Sequence, residues 1–130
     1  MTRDPITVHP QQTLPQAHNL MKSNRVRRLP VVEDDRLVGI VSSGDIREAQ
    51  PSDASSLSIY EAGYLIGLMT VDSIMTPDPI TINAEAPIAE AARVMLEHKI
   101  GGLPVVSGDG RLVGIITETD ICRVVLECGT

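Results

Sequence analysis

Two short patterns in the sequence combine a hydroxyl side chain with a carboxylate three residues later. Ser42 and Asp45 form the first pair, and Thr117 and Asp120 form the second. If each pair lies at the start of a helix, unpaired backbone N–H groups and the helix dipole favour an anionic phosphate there. A carboxylate one turn later can accept both hydrogen atoms of a vicinal diol. The residue types of each pair are therefore compatible with a site for a phosphate and a vicinal diol.

A purely structural interpretation of the same pairs is also open. A Ser or Thr N-cap followed three residues later by an acidic side chain is the pattern of a capping box, here with Asp in place of the usual Glu or Gln. Such a cap stabilises a helix by about 1 kcal/mol without any ligand. The spacing alone thus leaves two interpretations of both pairs, a ligand site or a helix cap.

Both pairs belong to a long internal repeat. The segment RRLPVVEDDRLVGIVSSGDI (27–46) is matched by GGLPVVSGDGRLVGIITETDI (101–121), and TRDPIT (2–7) is matched by TPDPIT (76–81). Twelve of the eighteen positions that follow the first RR are identical to their partners. A repeat of this length, with one residue inserted in a turn, indicates duplicated structure.

Each copy has the pattern of a β-α-β-β-α unit. The β-branched runs ITV and ITI predict strands, and apolar residues at helical spacing follow each run. LPVV and LVGI predict a hairpin with a tight turn, and a last helix is expected to start at each hydroxyl–Asp pair. One copy alone has too few residues for a good core. We therefore expect an α/β fold of the α+β type, with two pseudo-symmetric β-α-β-β-α motifs packed sheet to sheet.

The two copies are separated by a different kind of segment. The apolar run LSIYEAGYLIGLM (57–69) predicts a helix that packs on its own chain or on a partner. The expected organisation is motif 1 at residues 1–49, a linker with this helix at 50–70, and motif 2 at 71–128.

Composition and charge disfavour several classes of protein. The 130 residues include 11 basic and 17 acidic side chains, a net charge of −6. Nucleic acid binding needs clustered Lys and Arg, so no nucleic acid partner is expected. No apolar run approaches the ~20 residues that span a bilayer, so no membrane insertion is expected. Cys122 and Cys128 lack metal-ligand spacing and are expected to be reduced thiols of a cytoplasmic protein.

The doubled pattern TxDPIT, LPVV, RLVGI and hydroxyl–x–x–Asp resembles a tandem pair of CBS domains, named after cystathionine β-synthase and known as a Bateman module. The resemblance covers nearly the whole chain apart from residues 50–69. It implies a regulatory module that binds an adenosyl ligand, such as AMP, ADP, ATP or S-adenosylmethionine, in clefts between the two motifs. It also implies homodimers and control of an attached or partner enzyme or transporter.

The resemblance implies roles for residues in both copies. Ser42 and Thr117 match the hydroxyl that reaches phosphate. Asp45 and Asp120 match the carboxylate that takes the ribose hydroxyls. The residues that match the walls around adenine are Ile6, Thr7, Ile80, Thr81, Pro30, Val31, Pro104 and Val105.

Two arginines make the copies unlike each other. Arg27 and Arg28 match basic positions of the family that meet phosphates, and guanidinium groups suit bidentate phosphate contacts. The second copy has Gly101 and Gly102 instead, which leaves open whether both sites bind the same ligand. The alternative for the arginines is a solvated patch that pairs with the acidic turn nearby.

Two further interpretations compete with a ligand sensor. In the first, the repeat is a ligand-free dimerisation scaffold, the hydroxyl–Asp pairs are caps, and the apolar run 57–69 is the working surface. In the second, the chain is an enzyme, yet the sequence has no nucleophile elbow, His-x-x-x-His spacing or Walker-type loop. We therefore assign no catalytic residue, no metal ligand and no catalytic cofactor.

Overall fold

The structure, a computed structural model, describes residues 2–3, 5–49 and 67–127. The predicted apolar helix at 57–69 therefore lies outside the described residues except for its last three positions. The described part contains both strands and α-helices, which confirms the expected α+β class. Within these ranges no helix is both long and apolar enough to cross a membrane, and no three His, Cys, Asp or Glu side chains are grouped so as to hold a metal ion.

The elements follow the order of the repeat. The strands are β1 (Thr2–Arg3), β2 (Arg28–Glu33), β3 (Arg36–Ser42), β4 (Thr76–Pro77), β5 (Ile82–Asn83), β6 (Gly102–Val106) and β7 (Leu112–Thr117). The helices that lie wholly within the described residues are α1 (Leu14–Asn24), α2 (Ser43–Ala49), α3 (Ile88–His98) and α4 (Glu118–Glu127), with a 3-10 turn at Val71–Ser73. Each copy thus supplies a helix, a two-stranded hairpin and a second helix.

The chain divides into two compact units, and each unit takes a short strand from the other copy of the repeat. The first-repeat unit comprises the described residues of 6–79, and the second-repeat unit comprises those of 1–5 and 80–130. β4 pairs with β3 in the first-repeat unit, whereas β1 pairs with β7 in the second-repeat unit. The segments TP and TR that open the two copies therefore extend the sheet of the opposite copy.

The predicted strands ITV and ITI are shorter than expected. Of the run ITV only Val8 forms a bridge, parallel to Val31 of β2. In the second-repeat unit regular pairing starts at Ile82, the first residue of β5, parallel to β6. Pro5 and Pro79 are the last residues before the chain changes from one unit to the other. Proline has no N–H to donate to a ladder, which disfavours a longer strand there.

Equivalent residues of the two copies form two separate aliphatic cores. In each unit, one face of the first helix packs against the hairpin, as its apolar spacing predicts. Leu29 of β2 and Leu103 of β6 are fully buried at equivalent positions. The core of the first-repeat unit contains Val8, Ala17, Met21, Leu29, Val31, Val41, Ile46 and Val71. The core of the second-repeat unit contains Ile82, Ala91, Met95, Leu103, Val105 and Ile116.

The two hairpins close with different turns. Asp34 and Asp35 have φ angles of 52° and 63°, which is the backbone conformation of a type I′ turn. The second turn contains the inserted residue and places Gly110 at a φ of 85°. In it the Ser107 hydroxyl donates to the Asp109 carboxylate and lowers the pKa of Asp109. Both hairpins nevertheless keep one register irregularity at the same place, so the strands that follow stay equivalent.

Gly39 allows β4 to approach β3 in the first-repeat unit. A Cβ atom at this position would lie 2.5 Å from Met75 Sδ and 3.0 Å from the Thr76 carbonyl oxygen.

We expect Gly39→Ala to lower the free energy of unfolding by about 1–3 kcal/mol, because the Met75 side chain and the β4 backbone must both shift. Urea denaturation measures this loss. Gly108→Ala is the matched control, since its Cβ would meet no atom within 4 Å, and equal losses in both variants would contradict the prediction.

Candidate functional site

The first hydroxyl–Asp pair joins the end of β3 to the start of α2. The backbone N–H of Ser42 donates to Asp45 Oδ2 at 2.8 Å, and the N–H of Asp45 donates to Ser42 Oγ at 3.1 Å. Both residues are half-buried. These reciprocal hydrogen bonds are those of a capping box. We call this element the Ser42–Asp45 turn, and its capping role is confirmed.

The second pair forms the same strand-to-helix joint between β7 and α4, with one difference. The backbone N–H of Thr117 donates to Asp120 Oδ2 at 2.9 Å. The Thr117 hydroxyl donates to the same carboxylate oxygen at 3.2 Å. Both residues are half-buried here as well. In this Thr117–Asp120 turn the Asp120 carboxylate accepts hydrogen bonds from both the Thr117 backbone N–H and the Thr117 hydroxyl.

The two hydroxyl groups therefore differ in what they can still bind. Ser42 Oγ accepts a hydrogen bond, and its own hydrogen atom has no acceptor in the described part of the chain. Thr117 Oγ1 already uses its hydrogen atom on Asp120. A phosphate oxygen accepts hydrogen bonds and needs a donor. Ser42 can supply that donor directly, whereas Thr117 must first give up an existing bond.

One carboxylate oxygen remains available in each turn. In both turns the intramolecular hydrogen bonds go to Oδ2. Among residues 5–49 and 67–127, no group donates to Oδ1 of Asp45 or Asp120. An ionised carboxylate is an acceptor with about four lone-pair sites. Each turn thus fixes one oxygen by capping and leaves the other able to accept hydrogen atoms from a bound hydroxyl group.

The two predicted arginines lie beside the first turn only. Arg28 is paired with Ser42 across the β2–β3 ladder, and the Arg27 carbonyl accepts the N–H of Ser43 at 2.8 Å. Arg27 is exposed and Arg28 is half-buried. The second-repeat unit repeats this backbone arrangement with two glycines, so its turn has the same frame without the adjacent positive charges.

The eight predicted wall residues fall into two groups. The buried group packs in the cores, so a ligand can reach at most its backbone atoms; it contains Pro30, Val31, Pro104 and Val105. The exposed group precedes the first parallel pairing of each unit and contains Ile6, Thr7, Ile80 and Thr81. Ile6 and Ile80 are each 40% exposed, which leaves apolar surface for a flat ligand. That these residues form the walls around adenine stays a prediction. The exposed group suits this role better than the buried group.

A depression of about 470 Å³ lies next to the Ser42–Asp45 turn. Its lining residues come from α1, the approach to β2, and α2; they are His18, Arg27, Ser43, Ile46 and Arg47. Only Arg27 among them is predicted as a ligand residue from the sequence. His18 and Arg47 reach the same depression because α1 and α2 pack side by side, and no spacing in the sequence indicates that they meet.

The chain matches one protein family over most of its length. The family model described as CBS domain matches residues 1–52 and 71–127. The inosine-5′-monophosphate dehydrogenase of Korarchaeum cryptofilum is 37% identical over 119 residues. That match covers 92% of this chain but only 22% of the dehydrogenase. The chain therefore corresponds to a minor part of that enzyme.

Two solved structures match the chain along nearly its whole length. The structure of CBSX2 from Arabidopsis thaliana in complex with AMP has a TM-score of 0.82 and 32% identity, and the match covers 100% of this chain and 95% of that one. The CBS domain pair of protein MJ0100, in complex with 5′-methylthioadenosine and S-adenosyl-L-methionine, has a TM-score of 0.79 and 29% identity. That match covers 98% of this chain and 93% of the other.

The different hydrogen bonds of the two turns predict different effects when the hydroxyl group is removed. Ser42→Ala deletes the acceptor of the Asp45 N–H and should lower the free energy of unfolding by about 1 kcal/mol. Thr117→Val keeps the side-chain shape but deletes a hydrogen bond that the hydroxyl donates to a charged carboxylate, so the loss should be larger, about 1.5–3 kcal/mol. Urea denaturation of both variants measures the difference. A Thr117→Val loss no larger than that of Ser42→Ala would show that the two turns do not differ in this way.

Proposed function

Because the chain belongs to the CBS domain family, we propose that it is a cytoplasmic regulatory module that binds an adenosyl ligand, with AMP, ADP, ATP and S-adenosylmethionine as candidates. Structures of similar chains contain AMP, or 5′-methylthioadenosine and S-adenosyl-L-methionine. These ligands share an adenine ring and a ribose with a vicinal diol. The proposal assigns neither a reaction nor a catalytic cofactor to the chain.

The observation that carries the proposal is the available carboxylate oxygen of each turn. Oδ2 of Asp45 and of Asp120 is held by a backbone N–H at the end of a strand. The carboxylate is therefore oriented before any ligand arrives, which reduces the entropy that binding must overcome. Two ribose hydroxyl groups can donate to Oδ1, and hydrogen bonds to a charged acceptor are stronger than neutral ones.

Neighbouring residues suit the other parts of an adenosyl ligand. In the first-repeat unit Ser42 retains a hydrogen atom for a phosphate oxygen, and Arg27 and Arg28 lie beside it. Each unit has one exposed isoleucine that offers apolar surface for a purine, Ile6 in the first-repeat unit and Ile80 in the second-repeat unit. The ligand is thus recognised through its diol, its charge and its flat ring, each by a different kind of group.

Regulation requires that the ligand prefer one conformation of the module over another. The turns join a strand to a helix, so a ligand that bridges diol and phosphate ties the two elements together. We propose that the conformation favoured by the bound ligand is transmitted to an enzyme or transporter that is attached to the module or binds it. The match to a minor part of a dehydrogenase supports the first arrangement.

A ligand-free dimerisation scaffold is the second candidate, and one observation favours it. The second-repeat unit exposes large apolar side chains on both of its helices. Leu96 of α3 is 80% exposed, and Val125 and Leu126 of α4 are 53% and 79% exposed. Exposed apolar surface of this kind is typical of association sites. Homodimer formation is compatible with both candidates, so nucleotide binding is what separates them.

The ligand proposal is tested by thermal unfolding and calorimetry with AMP, ADP, ATP, S-adenosylmethionine and 5′-methylthioadenosine. A ligand at a hundredfold excess over its Kd adds about 2.7 kcal/mol and raises Tm by several degrees. Asp45→Asn and Asp120→Asn keep an oxygen for the cap but remove the charge, and the variant at the working turn should bind about tenfold more weakly.

A ligand control tests the role of the diol directly. 2′-Deoxyadenosine 5′-monophosphate lacks one of the two hydroxyl groups and should bind about tenfold more weakly than AMP, with the difference reduced in the Asn variant. No stabilisation by any of the five ligands would reject the sensor and leave the scaffold.

The scaffold candidate predicts a change of oligomeric state. Leu96→Glu and Leu126→Glu place charges on the exposed apolar surface, so a dimer held by this surface should dissociate. Sedimentation equilibrium over a range of protein concentrations measures this. Val26→Glu, which adds the same charge at an exposed apolar position of the first-repeat unit, is the control. Dimers that persist in both leucine variants would exclude this surface.

A further inference from the structure

The depression beside the Ser42–Asp45 turn is basic. Two of its five lining side chains are the guanidinium groups of Arg27 and Arg47, and a third is the imidazole of His18. The lining contains no carboxylate. Among the described residues neither arginine forms a salt bridge, whereas Arg93 and Arg111 do. A basic depression is unusual in a chain whose net charge is −6, and it favours an anionic ligand.

The Arg47 side chain extends back over the first turn of α2. A Cβ atom placed on Gly44 would lie 3.8 Å from Arg47 Nη2 and 3.6 Å from Ser42 Oγ. The guanidinium group and the hydroxyl group therefore flank the same glycine. Arg47 is thus placed near the hydroxyl that retains a hydrogen atom for phosphate, although it comes after the hydroxyl–Asp motif in sequence.

The second copy of the repeat lacks these positive charges. The residues that correspond to the five lining positions are Ala92, Gly101, Glu118, Ile121 and Cys122. Every cationic position is replaced by a neutral residue, and Ser43 is replaced by an acidic one. The wider sequence shows the same trend, because residues 1–50 carry seven basic and six acidic side chains, whereas residues 51–130 carry four and eleven.

We propose that the depression of the first-repeat unit binds a chain of two or three phosphates, and that the second-repeat unit has no equivalent site. Two guanidinium groups offer several N–H donors in fixed forks, which suit successive phosphates better than one. This inference rests on the proposed function in one respect, since it assigns to the first turn an adenosyl ligand that carries a diphosphate or triphosphate. His18 and Arg47 are then specificity residues that distinguish such ligands from AMP.

Calorimetry on the full chain tests the proposal with four probes: ATP, AMP, adenosine and inorganic tripolyphosphate, all without divalent cations. ATP is expected to bind at least about tenfold more tightly than AMP, and tripolyphosphate is expected to bind by itself. Arg47→Ala and His18→Ala should each weaken ATP binding more than AMP binding, and the double variant should abolish the preference for ATP. Arg123→Ala is the matched control, because it removes the same charge from the second-repeat unit.

The outcomes separate this inference from the proposed function. Equal affinity for ATP and AMP, with no binding of tripolyphosphate, would overturn the inference and leave an adenosyl sensor intact. A second outcome is that tripolyphosphate binds, that Arg47→Ala abolishes this binding, and that adenosine does not bind. It would support the phosphate site and reject the adenosyl sensor. If Arg123→Ala lost the preference for ATP over AMP as fully as Arg47→Ala, the preference would depend only on the net charge of the chain. That result would overturn the inference. Circular dichroism of each variant confirms that the fold is kept.

Discussion

The hydrogen bond from a strand-end N–H to the carboxylate at the start of the next helix organises both units. It joins Ser42 to Asp45 at 2.8 Å and Thr117 to Asp120 at 2.9 Å. The bond satisfies a backbone donor where the chain changes from strand to helix, and it uses only one carboxylate oxygen. Capping and ligand binding are therefore compatible here, because the oxygen that caps the helix determines where the other oxygen points.

The duplication conserves this frame while the surrounding charges differ. Both hairpins, both turns and both aliphatic cores occupy equivalent positions in the two copies. The side chains next to the turns do not: the first copy places arginines where the second has glycines. Backbone geometry depends on hydrogen bonds and buried apolar side chains, so exposed positions can change without disturbing it. Two turns with the same backbone frame therefore differ in the charge of the side chains next to them.

The exchanged strands connect the copies in a way that the repeat alone does not suggest. β4 opens the second copy yet pairs with β3, and β1 opens the first copy yet pairs with β7. The 3-10 turn after the linker also belongs to the first-repeat unit, where Val71 is fully buried and its N–H donates to the Gln12 carbonyl. Each unit therefore needs residues from both copies, and a single copy would lack an edge strand.

The local features of this protein could be predicted from its sequence. The helical spacing, the hairpins and the hydroxyl–Asp pairs all depend on residues less than twenty positions apart, where periodicity and turn chemistry decide the structure. The sequence overestimated the length of the strands at ITV and ITI for the same reason. β-branched residues favour a strand, but they do not determine whether a neighbouring strand is close enough to pair.

Only the tertiary structure decided which distant residues meet. It buried the side chains of Pro30 and Val31, and it brought His18 and Arg47 from two helices to one depression. It also showed that the Ser42 hydroxyl accepts a hydrogen bond while the Thr117 hydroxyl donates one. These outcomes depend on packing between elements and on the direction of single hydrogen bonds, and neither is encoded in the spacing of residues along one element.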